Sequence, residues 1–152
     1  MPPGTAMQEW PTAFLLSGPH AMRAPLRAGD DYRDERVRAA FVMAPALAQA
    51  FDRGSLARIV IPVSMLVGDN DDQAPAKTNA AWMAAQMQHA KLREIRNGTH
   101  YMFIAQCTPS GQAQQRQICT DPSGLSRAQV HRDTVAQAVA FSVAFFDAAL
   151  SP

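Results

Sequence analysis

The sequence has little that would direct it to a nucleic acid, a membrane or a metal ion. It carries 14 Lys and Arg against 13 Asp and Glu, and the formal net charge is +1 at pH 7. This balance, with the basic residues spread along the chain, predicts neither a nucleic-acid partner nor attraction to an anionic membrane. No apolar run reaches the roughly 18 residues of a membrane-spanning helix. There is no Gly-rich phosphate loop and no Cys/His group with zinc spacing, so we predict no cofactor and no metal site.

Cysteine is also scarce. The two cysteines, Cys107 and Cys119, lie in a stretch rich in Gly, Pro, Ser and Gln. A disulfide closing this loop would stabilise the fold by about 3 kcal/mol and would indicate an oxidising compartment, periplasmic or secreted. A protein exported to such a compartment needs a signal peptide, but the apolar residues 13–16 are too short for its core. We therefore expect the sequence to be truncated at its N-terminus. Two unrelated thiols in a cytosolic protein are the alternative.

The length of 152 residues predicts one main domain. Residues 1–33 are rich in Pro and Gly, which interrupt helices and strands, so we predict an irregular N-terminal segment there. Residues 34–152 would then form the domain.

Strand and helix patterns alternate along that domain. Residues 37–43, 59–67 and 91–96 are predicted to be strands, and the middle one is nearly continuous in Ile, Val, Leu and Met, which favours a parallel strand covered on both faces. Residues 75–89 and 126–150 are predicted to be helices. The alternation predicts an α/β fold with a mostly parallel sheet and flanking helices. The stripe predicted to face the sheet from the last helix is Val135, Ala138, Val139, Ser142, Phe145, Phe146 and Ala149.

Two of the strands are followed by loops with ionisable side chains. The acid loop (residues 68–75) contains three aspartates, and the histidine loop (residues 98–103) contains His100. Because the carboxyl ends of parallel strands meet at one edge of a sheet, an Asp and the His would face each other there, as acid–base chemistry requires. The alternatives are a solvated acidic turn that caps the next helix and a histidine without a catalytic role. A calcium loop is excluded, because the sixth and twelfth positions from Asp69 are both Ala.

Four stretches resemble the C-terminal half of an α/β-hydrolase, specifically the dienelactone-hydrolase-like esterases. They are Asp34 to Val37 continuing to Ala44-Pro45-Ala46; Gly68-x-x-Asp71-x-x-x-Pro75; Gly98-Thr99-His100-Tyr101-Met102-Phe103; and Cys107 to Cys119 with Gly124, Arg127 and His131. The resemblance implies a three-layer sandwich of reduced size that hydrolyses a small carboxylic ester or lactone. It also implies that Asp71 orients His100 and that His100 is the general base for a serine. Arg127 and His131 are expected to connect the cysteine loop to the last helix.

The sequence departs from that family at the nucleophile. The turn Gly-x-Ser-x-Gly, which presents the serine, does not occur. Ser17 is the remaining candidate nucleophile, although Leu15 and Pro19 occupy the two glycine positions. One hypothesis is therefore a truncated or split hydrolase that needs a serine from another segment. A second is a non-catalytic interaction module, such as a homo-oligomer, that pairs through an exposed sheet edge at residues 37–43. A third is an independent, weak esterase that uses Ser17.

Overall fold

The computed structural model describes residues 30–119 and 127–151. The chain divides into two compact units, Met1–Glu35 and Arg36–Pro152. In the described part of the first unit, the Arg33 guanidinium lies 2.5 Å from the Asp31 carboxylate. This hydrogen bond raises the pKa of Arg33. The candidate nucleophile Ser17 lies outside the described residues.

The second unit is built on a parallel sheet of three strands. These are β1 (Ala40–Met43), β2 (Val63–Gly68) and β3 (Ala90–Ile95), hydrogen-bonded in the order β1-β2-β3. Ala40 is opposite Val63, and Val63 is opposite Ala90, so the three carboxyl ends lie at the same edge. The prediction of an α/β fold with a parallel sheet and flanking helices is confirmed.

The described residues also contain five α-helices and three 3₁₀ helices. The α-helices are α1 (Arg53–Ala57), α2 (Ala80–Ala84), α3 (Pro109–Gln114), α4 (Arg116–Cys119) and α5 (Arg127–Leu150). The 3₁₀ helices are Ala48–Ala50, Ala76–Thr78 and His100–Phe103.

One face of the sheet packs against α1 and α2. Because side chains alternate along a strand, Val63, Met65 and Val67 of β2 point to this face. There they contact Leu56 of α1 and Met83 of α2 in a buried apolar cluster. This cluster is the larger of the two cores.

The other face packs against α5 through Leu66, Ile95, Met102 and Val130. Part of the predicted α5 stripe was wrong: Val139 is 55% exposed and Val135 is also exposed. At about 100° of rotation per residue, Val135 and Val139 lie about 140° and 180° around the helix axis from the buried Val130, so both face away from the sheet. The residues of α5 that do approach the sheet or its cover are Val130, Ala138, Phe141, Phe145 and Phe146.

Besides β1, which begins at Ala40 instead of residue 37, two element boundaries differ from the predictions. Strand β2 begins at Val63 instead of residue 59, because the Ile59 amide turns back to bond the Leu56 carbonyl. The helix predicted over residues 75–89 is a 3₁₀ turn followed by α2, and the two are separated at Asn79, where φ is −121° and ψ is −93°. Both changes come from hydrogen bonds that override local helix or strand preference.

The predicted disulfide between Cys107 and Cys119 is confirmed, with the two Cα atoms 5.9 Å apart. It joins the segment before α3 to the last residue of α4.

One described helix, within Ala128–Leu150, is long and apolar enough to cross a membrane by length and composition. From the sequence we predict no apolar run of that length, so this helix differs from the prediction. Length and composition alone do not assign this helix to a membrane, since a helix packed on a sheet passes the same test.

Candidate active site at the carboxyl edge of the sheet

The acid loop and the histidine loop lie side by side because two glycines let their backbones touch. A Cβ atom on Gly68 would overlap the carbonyl of Gly98, and a Cβ on Gly98 would lie 2.5 Å from the Met102 sulfur. Asn70 in the acid loop donates its backbone N–H to the Gly98 carbonyl at 2.9 Å. Only glycine permits so close an approach, so these positions determine how near the two loops come.

Asp71 is held in one orientation by the backbone of its own loop. Its Oδ1 atom accepts hydrogen bonds from the amides of Gln73, at 3.0 Å, and Ala74, at 2.7 Å. Its side chain is fully buried. With Oδ1 occupied, the second oxygen, Oδ2, is directed away from the loop.

The Oδ2 atom of Asp71 is 2.8 Å from the Nδ1 atom of His100. Since a carboxylate can only accept a hydrogen bond, Nδ1 is the donor, and in the neutral form of the imidazole the lone pair is then on Nε2. No residue of the described segments hydrogen-bonds to Nε2. The His100 side chain is 19% exposed, against 0% for Asp71, so the imidazole is the accessible member of the pair.

The backbone around His100 limits how the ring can turn. His100 begins a 3₁₀ helix that follows Thr99, and Met102 of the same turn is buried between the sheet and α5. The Tyr101 ring lies edge to face with the imidazole, with ring centroids 4.9 Å apart. The imidazole is therefore fixed from one side by Asp71 and from another by Tyr101.

The other aspartates of the acid loop do not approach His100. Asp69 and Asp72 are exposed, whereas Asp71 is buried. Of the three candidates in this loop, the structure brings only Asp71 to the histidine. Among the described residues there is also no cluster of side chains that could hold a metal ion.

His131 does not make the hydrogen bond expected of it within the described residues. Its Nδ1 atom is buried and has no partner there. The structure does not describe residues 120–126, which connect the cysteine loop to α5, or the Arg127 side chain. The proposed connection from α5 to that loop therefore stays a prediction.

Sequence reasoning missed the part played by Asn79. This buried side chain accepts a hydrogen bond from the Ala48 amide at 3.2 Å and donates to the Pro75 carbonyl at 3.2 Å. It thereby joins the acid loop to the chain that follows β1. The sequence does offer one signal for this role, which is an amide side chain within the largely apolar helix predicted over residues 75–89.

No protein-family model matches this sequence, and no curated protein matches it either.

Proposed function

We propose that this chain carries the acid and the base of a serine-hydrolase-type site for small carboxylic esters or lactones. The observation that carries the proposal is the 2.8 Å hydrogen bond between buried Asp71 and accessible His100. A hydrolytic triad needs such an orienting carboxylate on Nδ1, because it leaves the Nε2 lone pair for the nucleophile. The parallel sheet and the glycine-lined loops support the α/β-hydrolase-like three-layer sandwich that the motifs resemble.

In this mechanism His100 removes the proton of a serine hydroxyl as the oxygen attacks the ester carbonyl. The Asp71 carboxylate stabilises the imidazolium, and Nε2 then donates the proton to the departing alcohol. A water molecule, activated in the same way, releases the acid. No metal or organic cofactor is required for these steps.

The serine itself is not assigned to any described residue. Ser17 is one candidate, and a serine from a segment outside this sequence is the other. Either source must place its hydroxyl within hydrogen-bond reach of Nε2, at about 2.6–3.2 Å.

Hydrolysis of p-nitrophenyl acetate by the purified chain tests the proposal. We expect His100→Gln to lower the rate by about 100-fold or more, the range usual for a general base. Asp71→Asn should lower it too, because an amide donor opposite Nδ1 selects the wrong imidazole tautomer. The matched control is His89→Gln, since His89 is an exposed histidine.

Ser17→Ala separates the two sources of the nucleophile. Loss of hydrolysis in this variant assigns the serine to this chain. Loss in His100→Gln but not in Ser17→Ala indicates that His100 acts as a base on water in the isolated chain, so that any serine must come from another segment. If the unmodified chain gives no rate above buffer, catalysis by the chain alone is ruled out.

A non-catalytic interaction module is the second candidate function, and the edge of β1 favours it. Among the described residues, β1 has a strand neighbour on one side only. The Ala40 and Ala44 amides bond to β2, so the backbone groups of Phe41 and Met43 point to the other side. Such an edge can accept a strand from a partner, including a second copy of the chain.

The oligomeric state tests this second function. Light scattering during gel filtration should show a dimer if the β1 edges pair, and Met43→Lys should return the protein to a monomer, because a charged edge opposes pairing. A monomer at all concentrations would exclude self-association through this edge.

The Cys107–Cys119 disulfide supports location in an oxidising compartment, periplasmic or secreted. Thiol titration under denaturing conditions of protein isolated without reductant should detect no free thiol. Two free thiols would rule out that location.

A further inference from the structure

Helix α5 has an apolar side that the sheet does not cover. The residues that pack toward the sheet, which include Val130, Ala138 and Phe141, lie on one side of the helix axis. The opposite side carries residues spaced by three or four, which places them in a single stripe. We define these residues as the outer stripe: Arg132, Ala136, Val139, Val143, Asp147 and Leu150. Every one of them is exposed, and the exposed fraction is 55% for Val139 and 53% for Val143.

The outer stripe does not have the composition of a helix face that only meets water. A surface helix normally carries charged and polar side chains on the side away from the core. Residues 134–146 contain no charged side chain, so the middle of the outer stripe is apolar. Its spacing of three and four is that of the seam between two packed helices. An exposed apolar surface with this spacing indicates a site where a second helix packs.

The charged residues near the two ends of the outer stripe indicate which helix that is. Arg132 lies seven residues before Val139, and Asp147 lies seven residues after Ala140. They are about 22 Å apart along the axis, so they cannot pair within one helix, and neither forms an ion pair with another described residue. In an antiparallel pair centred between Val139 and Ala140, Arg132 faces Asp147 of a second copy at both ends. A parallel pair would bring like charges together.

A lipid bilayer fits the outer stripe less well than a second helix does. From Arg132 to Asp147 the helix spans about 22 Å, whereas the hydrocarbon core of a bilayer is about 30 Å thick. The other side of α5 packs on the sheet through Val130 and Phe141, so lipid could not surround the helix. The end charges and the covered side therefore favour a protein partner.

We propose that the outer stripe is a dimer interface, at which α5 packs antiparallel on α5 of a second copy of this chain. The two copies are related by a two-fold axis near Val139, so each contact and each pair of Arg132 with Asp147 occurs twice. Val143 then packs beside Ala136 of the other copy, a large residue beside a small one. This interface is separate from the β1 edge and does not depend on the hydrolytic function of the Asp71–His100 site.

Light scattering during gel filtration, over a range of protein concentrations, tests the apolar part of the interface. We expect a dimer that Val139→Glu weakens by about 100-fold or more, because each dimer would bury two unpaired carboxylates. The matched control is Gln137→Glu, which adds the same charge to the same helix. Gln137 is exposed and lies about 160° around the axis from Val139, so this variant should remain dimeric.

Charge exchange tests the antiparallel arrangement. Arg132→Glu and Asp147→Arg should each raise the dimer dissociation constant by about tenfold, since each replaces two attractive pairs with two repulsive ones. The double variant, with both substitutions, should recover the dissociation constant of the unmodified chain. The two positions are too far apart on one helix to interact, so recovery reports contact between copies.

Four results would overturn the inference. They are a monomer at all concentrations, a dimer that Val139→Glu leaves intact, equal weakening by Val139→Glu and Gln137→Glu, and a double charge variant that does not recover. A dimer that only Met43→Lys dissociates would belong to the β1 edge, and a monomer that sediments with phosphatidylcholine vesicles would make the stripe a membrane surface; each of these outcomes also contradicts the proposal. The hydrogen-bonded Nδ1–H resonance of His100 reports that each variant is folded.

Discussion

The two ends of the parallel sheet are built differently, although the same three strands supply both. At the carboxyl end, Gly68 and Gly98 touch backbone to backbone and Asp71 is buried with every carboxylate oxygen bonded. At the amino end, the contacts between strands include only ordinary hydrogen bonds among those described, such as the bonds from the Val63 amide to the His89 carbonyl, at 3.2 Å, and from the Ala40 amide to the Pro62 carbonyl, at 3.0 Å. Val60 and His89 are exposed there.

This difference shows where the chain accepts a cost in stability. A buried carboxylate loses hydration. The left-handed residues that follow β1, Ala44 with φ of 43° and Leu47 with φ of 57°, cost roughly 1–2 kcal/mol each. The amino end has no feature of either kind among the described residues. Because ligands of parallel α/β sheets bind at the carboxyl ends of the strands, the costly end is also the end where function is expected. Paired substitutions at the two ends test this contrast.

The largest effect is expected from Gly68→Ala. The added methyl group meets the Gly98 carbonyl, which is backbone and cannot rotate away. We expect a loss of about 3 kcal/mol or more in the free energy of unfolding, at the upper end for overpacking, together with loss of the Asp71–His100 hydrogen bond. Urea unfolding and the His100 Nδ1–H resonance measure the two.

Gly54→Ala is the control for that substitution. Gly54 lies in α1, which precedes the amino end of β2, and its added Cβ would meet only the ends of the Asp52 and Arg58 side chains. Alanine is the better helix former by up to about 1 kcal/mol. The contrast fails if the two glycine variants are equally stable.

The next largest effect is expected from Asp71→Ala. This substitution leaves the Gln73 and Ala74 amides without their acceptor, and hydrogen bonds to a charged acceptor contribute about 2 kcal/mol. Asp71→Asn keeps an oxygen for both amides, so it should cost clearly less in stability while still lowering the rate of hydrolysis. An equal loss of stability in the two variants would show that the amides do not orient the carboxylate.

How far this site could be predicted follows from the kind of contact involved. Alternating strands and helices predict a parallel sheet, and a parallel sheet places the acid and histidine loops at one edge. In the sequence, Asp71 is favoured over Asp69 and Asp72 only by its spacing from Gly68 and Pro75, which resembles an esterase motif. Its physical reason is visible only in the structure: Asp71 alone has two amides of its own loop on Oδ1.

Long-range contacts account for what the sequence did not predict. The break at Asn79 depends on Ala48, 31 residues away, and local helix preference contains no trace of such a bond. The exposure of Val135 and Val139 depends on which side of α5 meets the sheet, and the apolar pattern of the helix alone does not fix that side. Leu47 is not a residue type associated with positive φ, so the strain at that position had no sequence signal.

A smaller effect is expected from Asn79→Ala. The Ala48 amide and the Pro75 carbonyl lose their shared partner, which should lower the free energy of unfolding by about 1.5 kcal/mol. The exposed Asn70 serves as the control, since Asn70→Ala removes no side-chain bond among those described and keeps the backbone bond to Gly98. Hydrogen exchange of the Ala48 amide should quicken in Asn79→Ala alone. Unchanged exchange would mean that Asn79 does not hold the segment that follows β1, residues 44–51.

The smallest effect is expected from Leu47→Gly, and its sign is opposite to the others. Glycine removes the strain of a left-handed leucine, about 1–2 kcal/mol, but its unfolded chain is more disordered, by about 0.5–1 kcal/mol. We therefore expect the free energy of unfolding of Leu47→Gly to be higher by about 0.5 kcal/mol. Val60→Gly at the amino end has no such strain to relieve, so urea unfolding should show it to be destabilised. If Leu47→Gly is destabilised as well, the left-handed backbone at Leu47 is not strained. The carboxyl end then loses one of the features that distinguish it from the amino end.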